Sequence, residues 1–209
     1  MPPLSPLPLP PNPHGNRCRA RVGLLGGSFN PAHDGHRHAA LQAMRRLGLD
    51  QVWLMVSPQN PLKSTAETQP LSSRVESARR MAAGHPALRV TALETSLGTR
   101  FTADTLAVLV RRFPRIEFVW LMGADNLAQI HLWTRWATIF RTVPVAILAR
   151  EPYSERALAA KASRRFARFR CPSGAARGLC RKHLPAWVFL HIRRHPASST
   201  ALRAAIPIP

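Results

Sequence analysis

Four times along this chain a short apolar run is followed by a loop and then by a segment with helical spacing. That alternation is the pattern of a parallel sheet flanked by helices. Residues 21–25 (RVGLL) form the first run, ended by Gly26 and Gly27, and apolar residues at helical spacing follow over 36–47, stopping at Gly48. Residues 51–56 (QVWLMV) read as a second strand, the loop SPQNPLKST follows, and 71–83 reads as a helix ended by Gly84 and Pro86. A third strand at 88–93 precedes a helix at 102–112, stopped before Pro114. The strongly apolar 116–122 (IEFVWLM) is a fourth strand that ends at Gly123, with two short helical stretches after it, 124–130 and 134–140. Residues 143–148 and 187–192 add a fifth and a sixth strand, and a last helix begins near Ser199. The expected fold class is α/β: a parallel sheet with helices on both faces, whose ligands sit beyond the carboxyl ends of the strands. The loops after strands one, two and four are therefore the expected site.

The 209 residues suit one such domain with a real core, assigned here to 20–209. Hydrophobic residues make up 45% and charged residues 19%, an ordinary balance for a soluble globular protein, and no apolar run is long enough for a membrane span. The proline-rich residues 1–19 lack the basic and apolar regions of a signal peptide and are expected to be a disordered tail. Three cysteines, an odd and sparse count, argue against a disulfide framework and for a cytoplasmic setting. Cys171, Cys180 and His183 fit no strong zinc spacing. The net charge of +20 is concentrated late, because no acidic residue follows Glu155. Such a surface attracts phosphates, nucleic acid included, but no RNA-binding motif with interleaved aromatics accompanies it. A solvated basic face is the simpler account of residues 155–185, and no specific nucleic-acid partner is expected.

The segment after the first strand carries the chemistry. Gly26-Gly27-Ser28-Phe29-Asn30-Pro31-Ala32-His33-Asp34-Gly35-His36 joins a strand to a helix. Its glycines let backbone approach a ligand, and the following helix N-terminus favours phosphate. His33 and His36 share one side of the first helical turn and can donate to phosphate oxygens. The segment is neither the dinucleotide fingerprint nor a P-loop. Alone, the histidine pair would equally suit an unremarkable surface turn. Near the other end, Ser198-Ser199-Thr200-Ala201-Leu202-Arg203 combines an N-cap with an arginine one turn on, which suits either a phosphate clamp or a simple capped helix.

Together these two segments resemble the His-x-Gly-His nucleotidyltransferase superfamily, in the form found in bacterial nicotinate-nucleotide adenylyltransferases. Asn30 stands where many members carry Asp. The resemblance extends to Ser57-Pro58-Gln59-Asn60-Pro61-Leu62-Lys63, to Arg100-Phe101-Thr102-Ala103-Asp104-Thr105-Leu106, to Gly123-Ala124-Asp125 followed by Trp133, and to Arg150-Glu151-Pro152-Tyr153. It implies a Rossmann-like nucleotidyltransferase fold and the reaction of ATP with nicotinate mononucleotide, giving deamido-NAD and pyrophosphate. It implies catalytic roles for His33, His36 and Arg203. ATP would be held by Gly26, Gly27, Ser28, Phe29, His33, Gly35, His36, Lys63, Ser199, Thr200 and Arg203. The mononucleotide would be held by Asn30, Thr102, Gly123, Asp125, Trp133 and Arg150, and Mg²⁺ would arrive with ATP. Ordinary structural roles remain open for several of these: core packing for Trp133, a helix N-terminus for Asp125, an N-cap for Thr102, a loop lysine for Lys63. The competing expectations are a related phosphopantetheine adenylyltransferase or cytidylyltransferase, and a basic RNA-associated protein. Homo-oligomer formation is left open.

Overall fold

The computed structural model describes residues 11–58, 68–149, 154–193 and 195–197. Among these, seven strands pair in parallel in the order β3-β2-β1-β4-β5-β7-β6. The strands are β1 Ala20–Gly27, β2 Gln51–Val56, β3 Leu88–Thr91, β4 Ile116–Gly123, β5 Val145–Ala149, β6 Arg170–Cys171 and β7 Trp187–His191. The helices are α1 Asp34–Leu47, α2 Leu71–Ala82, α3 Leu93–Leu97, α4 Thr102–Arg112, α5 Ala124–Gln129, α6 Trp136–Thr142, α7 Ser154–Leu158 and α8 Lys161–Arg165. Strand order reverses between β1 and β4, which is where a crevice opens in such a sheet.

Buried strands with apolar residues at every position divide them by parity, because successive side chains point to opposite faces. Val22, Leu24, Trp53, Met55, Phe118 and Trp120 enter one core, with Leu106 and Leu109 of α4 and Leu127 of α5. Leu25, Leu54, Val56, Val119 and Leu121 enter the other, with α1 and α2. Helix α1 buries Ala39, Ala40, Ala43 and Leu47, a narrow stripe of small residues that lets it lie close to the sheet. It ends where Gly48 adopts the left-handed conformation at φ 65°.

The elements follow the sequence pattern with instructive exceptions. Strand β1 does not stop at its glycines: Gly26 and Gly27 pair with Met55 and Val56, because the ladder needs only backbone. Helix α1 begins at Asp34, two residues before the apolar spacing starts. Strand β3 ends at Thr91, and the short α3 occupies part of what reads as strand and loop. Strand β6 is two residues long and pairs only with the start of β7, too short and too polar for a periodic signal. The basic segment holds α7 and α8, and its arginines Arg164, Arg165, Arg168 and Arg170 are exposed, with some of them also over aromatic rings. The guanidinium of Arg165 lies over Trp136 at 5.5 Å, and that of Arg168 over Phe169 at 4.7 Å. The expected final helix at Ser199 lies outside the described residues, as do residues 1–10 of the proline-rich tail. Of residues 11–19, Pro13 offers its carbonyl to Arg112 Nη1. No described helix is long and apolar enough to cross a membrane.

One buried cation holds the loops at the carboxyl edge. Arg74, on the first turn of α2, is 1% exposed. Its Nε donates to the Gln69 carbonyl at 2.8 Å, Nη1 to those of Ser28 and Ser57 at 2.8 and 2.7 Å, and Nη2 to that of Pro58 at 2.8 Å. One planar donor fork thus ties the loop after β1, the loop after β2 and the entry to α2. Arg74→Met should cost about 3 kcal/mol or more in urea unfolding, since buried carbonyls lose charged donors. Arg74→Lys should recover little of it, because an ammonium cannot span the same acceptors.

Candidate active site

The turn between β1 and α1 is built around two imidazoles. His33 is the N-cap of α1, in extended conformation. Its Nδ1 accepts from the Gly35 backbone N–H at 3.1 Å, while its own backbone N–H donates to His36 Nδ1 at 3.3 Å. This is a capping box made of histidines, with the rings 3.8 Å apart between centroids. A neutral imidazole accepts at one nitrogen and donates at the other. Because both Nδ1 atoms accept, both neutral rings carry their proton on Nε2. The turn therefore combines two Nε2–H donors with the positive end of a 14-residue helix, an arrangement suited to phosphate oxygens.

Neighbours fix the turn tightly. A side chain at Gly35 would meet the Ala197 carbonyl at 2.7 Å and the His33 ring at 2.8 Å. The described chain thus runs back to the histidine turn at Ala197. Phe29 holds a left-handed backbone at φ 46°, costly for a bulky residue, and its ring is buried in the α1-side core and lies 4.9 Å from His36. Asn30 is buried, and its Oδ1 accepts from the Gln69 N–H at 3.3 Å. A carboxylate oxygen would accept the same bond, so asparagine here keeps the tie between the loops.

On the other face of β1 lies a cleft of about 200 Å³. Gly26, Gly27 and Ser28 form its edge, and Thr102 and Trp133 line it as the sequence suggests. Thr102 is not the N-cap of α4, since Phe101 holds that position without a side-chain cap. Trp133 is half-buried: it packs against the core and also walls the cleft. Gly123 ends β4 and caps α5, and Asp125 is exposed on the first turn of α5, where its neighbour Asn126 lines the cleft instead. Lys63, Arg150, Ser199, Thr200 and Arg203 lie outside the described residues.

Sequence reasoning missed several cleft residues. Ser57 and Phe101 sat inside quoted segments and were passed over. Trp120 and Glu94 had no local signal: one looks like any core residue of an apolar strand, the other like any helix-turn acid. Trp120 is 3% exposed, and its buried indole N–H finds no hydrogen-bond partner among the described residues. Glu94 is buried at 8% exposure, and Thr105 Oγ1 donates to its Oε1 at 3.4 Å. Burial pushes the Glu94 carboxyl above the ordinary range, partly offset by hydrogen bonds from Ser57 and Thr105. Arg100 is the other charged residue on the lining, with its guanidinium 5.7 Å from the Phe101 ring.

The chain is similar to known proteins over most of its length. The model of the family described as cytidylyltransferase-like matches residues 24–205. A protein of Cereibacter sphaeroides strain ATCC 17023, named "Probable nicotinate-nucleotide adenylyltransferase", is 52% identical over 183 residues, covering 88% of this chain and 96% of its own length. A protein of the same name from Caulobacter sp. strain K31 is 53% identical over 183 residues, with 88% and 96% covered. Among solved structures, the Plasmodium falciparum nicotinic acid mononucleotide adenylyltransferase complexed with NaAD shares the fold at a TM-score of 0.64. It is 16% identical, with 88% of this chain and 82% of that one covered.

The lining generates one packing test. A Cβ on Gly26 would lie 2.4 Å from Trp120 Cη2. Gly26→Ala should therefore displace the indole, destabilise the protein by about 1–3 kcal/mol and shift its tryptophan emission. Unchanged unfolding midpoint and emission would show that the ring has room to move.

Proposed function

We infer, for a chain that belongs to the cytidylyltransferase-like family and within it to the nicotinate-nucleotide adenylyltransferases, the reaction those relatives are named for. The enzyme transfers the adenylyl group of ATP to nicotinate mononucleotide, giving deamido-NAD and pyrophosphate, a step of NAD biosynthesis. A phosphate oxygen of the mononucleotide attacks the α-phosphorus of ATP in line, a P–O bond forms, and the bond to the bridging oxygen of pyrophosphate breaks. No covalent enzyme intermediate is needed, so the work is positioning and charge stabilisation.

The observation that best supports this reading is the division of surfaces by the end of β1. Two Nε2–H donors at a helix N-terminus stand on one side. An aromatic-walled cleft with Thr102 and Trp133 stands on the other. In this proposal His33 and His36 meet the α-phosphate, where negative charge develops. Trp133 stacks on the pyridine ring, and Thr102 hydrogen-bonds the mononucleotide. Lys63, Ser199, Thr200 and Arg203 are assigned to the β- and γ-phosphates, and Arg150 to the mononucleotide. Magnesium enters with ATP, with phosphate and water oxygens as most of its ligands.

A pyrophosphate-release assay with ATP and a panel of acceptors tests the reading, with nicotinate against nicotinamide mononucleotide as the decisive pair. His36→Ala should lower kcat by roughly 10²-fold or more, the range for losing one transition-state donor. Near-normal turnover would remove His36 from catalysis. Trp133→Ala should raise KM for the mononucleotide more than for ATP, whereas equal effects on both would reduce Trp133 to a packing residue.

A further inference from the structure

We propose that Glu94 is a specificity residue that recognises the positive charge of the substrate's pyridinium ring. The inference rests on the cleft being the mononucleotide site. In an N-ribosylated nicotinate the ring nitrogen is quaternary. Its charge has no proton to donate, so a protein can meet it only with an aromatic face or an opposing charge.

Glu94 supplies the opposing charge from a lining on which Arg100 is the other charged residue. It is the one carboxylate among the described lining residues, beside Phe101, Trp120 and Trp133. At 8% exposure it has little water to solvate it. Its described partners are neutral hydroxyls, those of Thr105 and Ser57. Thr105 Oγ1 lies 2.8 Å from Thr99 Oγ1, and its one proton is shared between Glu94 and the Phe101 carbonyl at 3.2 Å. None of the described ion pairs includes Glu94. A buried carboxylate without a countercharge is costly, and burial already pushes this one toward its neutral form. A bound pyridinium provides a countercharge that none of the described ion pairs supplies, so binding offsets that cost.

A merely structural Glu94 would need only to accept hydrogen bonds, which glutamine also does. The test therefore separates charge from shape. Nicotinate mononucleotide is compared with its 1,4-dihydro form, whose ring nitrogen is uncharged, using KM for each, or competitive Ki where turnover is slow. In the full-length wild-type protein the charged form should bind more tightly. Glu94→Gln should reduce that preference about tenfold through the charged form alone, with KM for ATP unchanged. Equal weakening of both forms, or no change in either, overturns the proposal. Thr105→Val, which removes a hydroxyl without changing charge, should leave the preference as in wild type. A shift equal to that of Glu94→Gln would make Glu94 a positioning residue only. Failure of the wild type to release pyrophosphate from ATP and nicotinate mononucleotide would instead overturn the underlying reading of the cleft, and this proposal with it.

Discussion

Much of this structure depends on the guanidinium of Arg74. A buried cation in the first turn of a helix is doubly unfavourable, desolvated and facing the positive end of the helix dipole. Burial lowers its pKa accordingly. What makes it tolerable is four backbone carbonyls arranged around one plane, from Ser28, Ser57, Pro58 and Gln69. Those carbonyls belong to the segments that border the cleft and the histidine turn. The cation thus ties the loop after β1 to the longer connection between β2 and α2. Asn30 adds a second tie to the same place by accepting from the Gln69 N–H.

With the loops held, the parity of β1 does the rest. Gly26 faces Trp120 and the cleft, and Gly27 faces the ring of Phe29 on the opposite side. One strand end therefore presents bare backbone to two surfaces at once. In the proposed function one surface receives anions, at the helix dipole and the imidazole N–H groups. The other receives an aromatic ring, among indoles and a phenyl. A two-substrate transfer needs this separation followed by convergence, because its reacting phosphates must meet while the bodies of the two nucleotides stay apart. In the proposed function the histidine capping box serves both fold and chemistry. The hydrogen bonds that start α1 also set the tautomer of each ring, leaving Nε2 as the donor.

The arginine-rich segment is exposed, as its net charge suggests. Several of its guanidinium groups also lie over aromatic rings, Arg165 over Trp136, Arg168 over Phe169 and Arg170 over Trp187 and Phe189. Arginine suits this role because its planar cation is weakly hydrated and stacks. The charge that dominates the sequence is thus partly used to cover the edge of the core.

Local pattern determined the alternation of strands and helices, the glycine-histidine segment and the stop signals, because hydrophobic period and turn chemistry act over a few residues. It was enough to recognise the family, and to place Gly26, Gly27, Ser28, Thr102 and Trp133 where the cleft lies. It misjudged β1, whose glycines continue the ladder, since a pairing strand lends them order that their own propensity does not. It could not find β6 or α3 as elements, or Trp120 and Glu94 as parts of the site. Each is defined by a neighbour distant in sequence: β7 for Arg170, β1 for Trp120, α4 for Glu94. The same holds for Arg74, an ordinary helix arginine until three separate segments converge on it. Tertiary structure alone decides which polar groups lose their water, and that loss turns a common residue into one the fold or a ligand must answer.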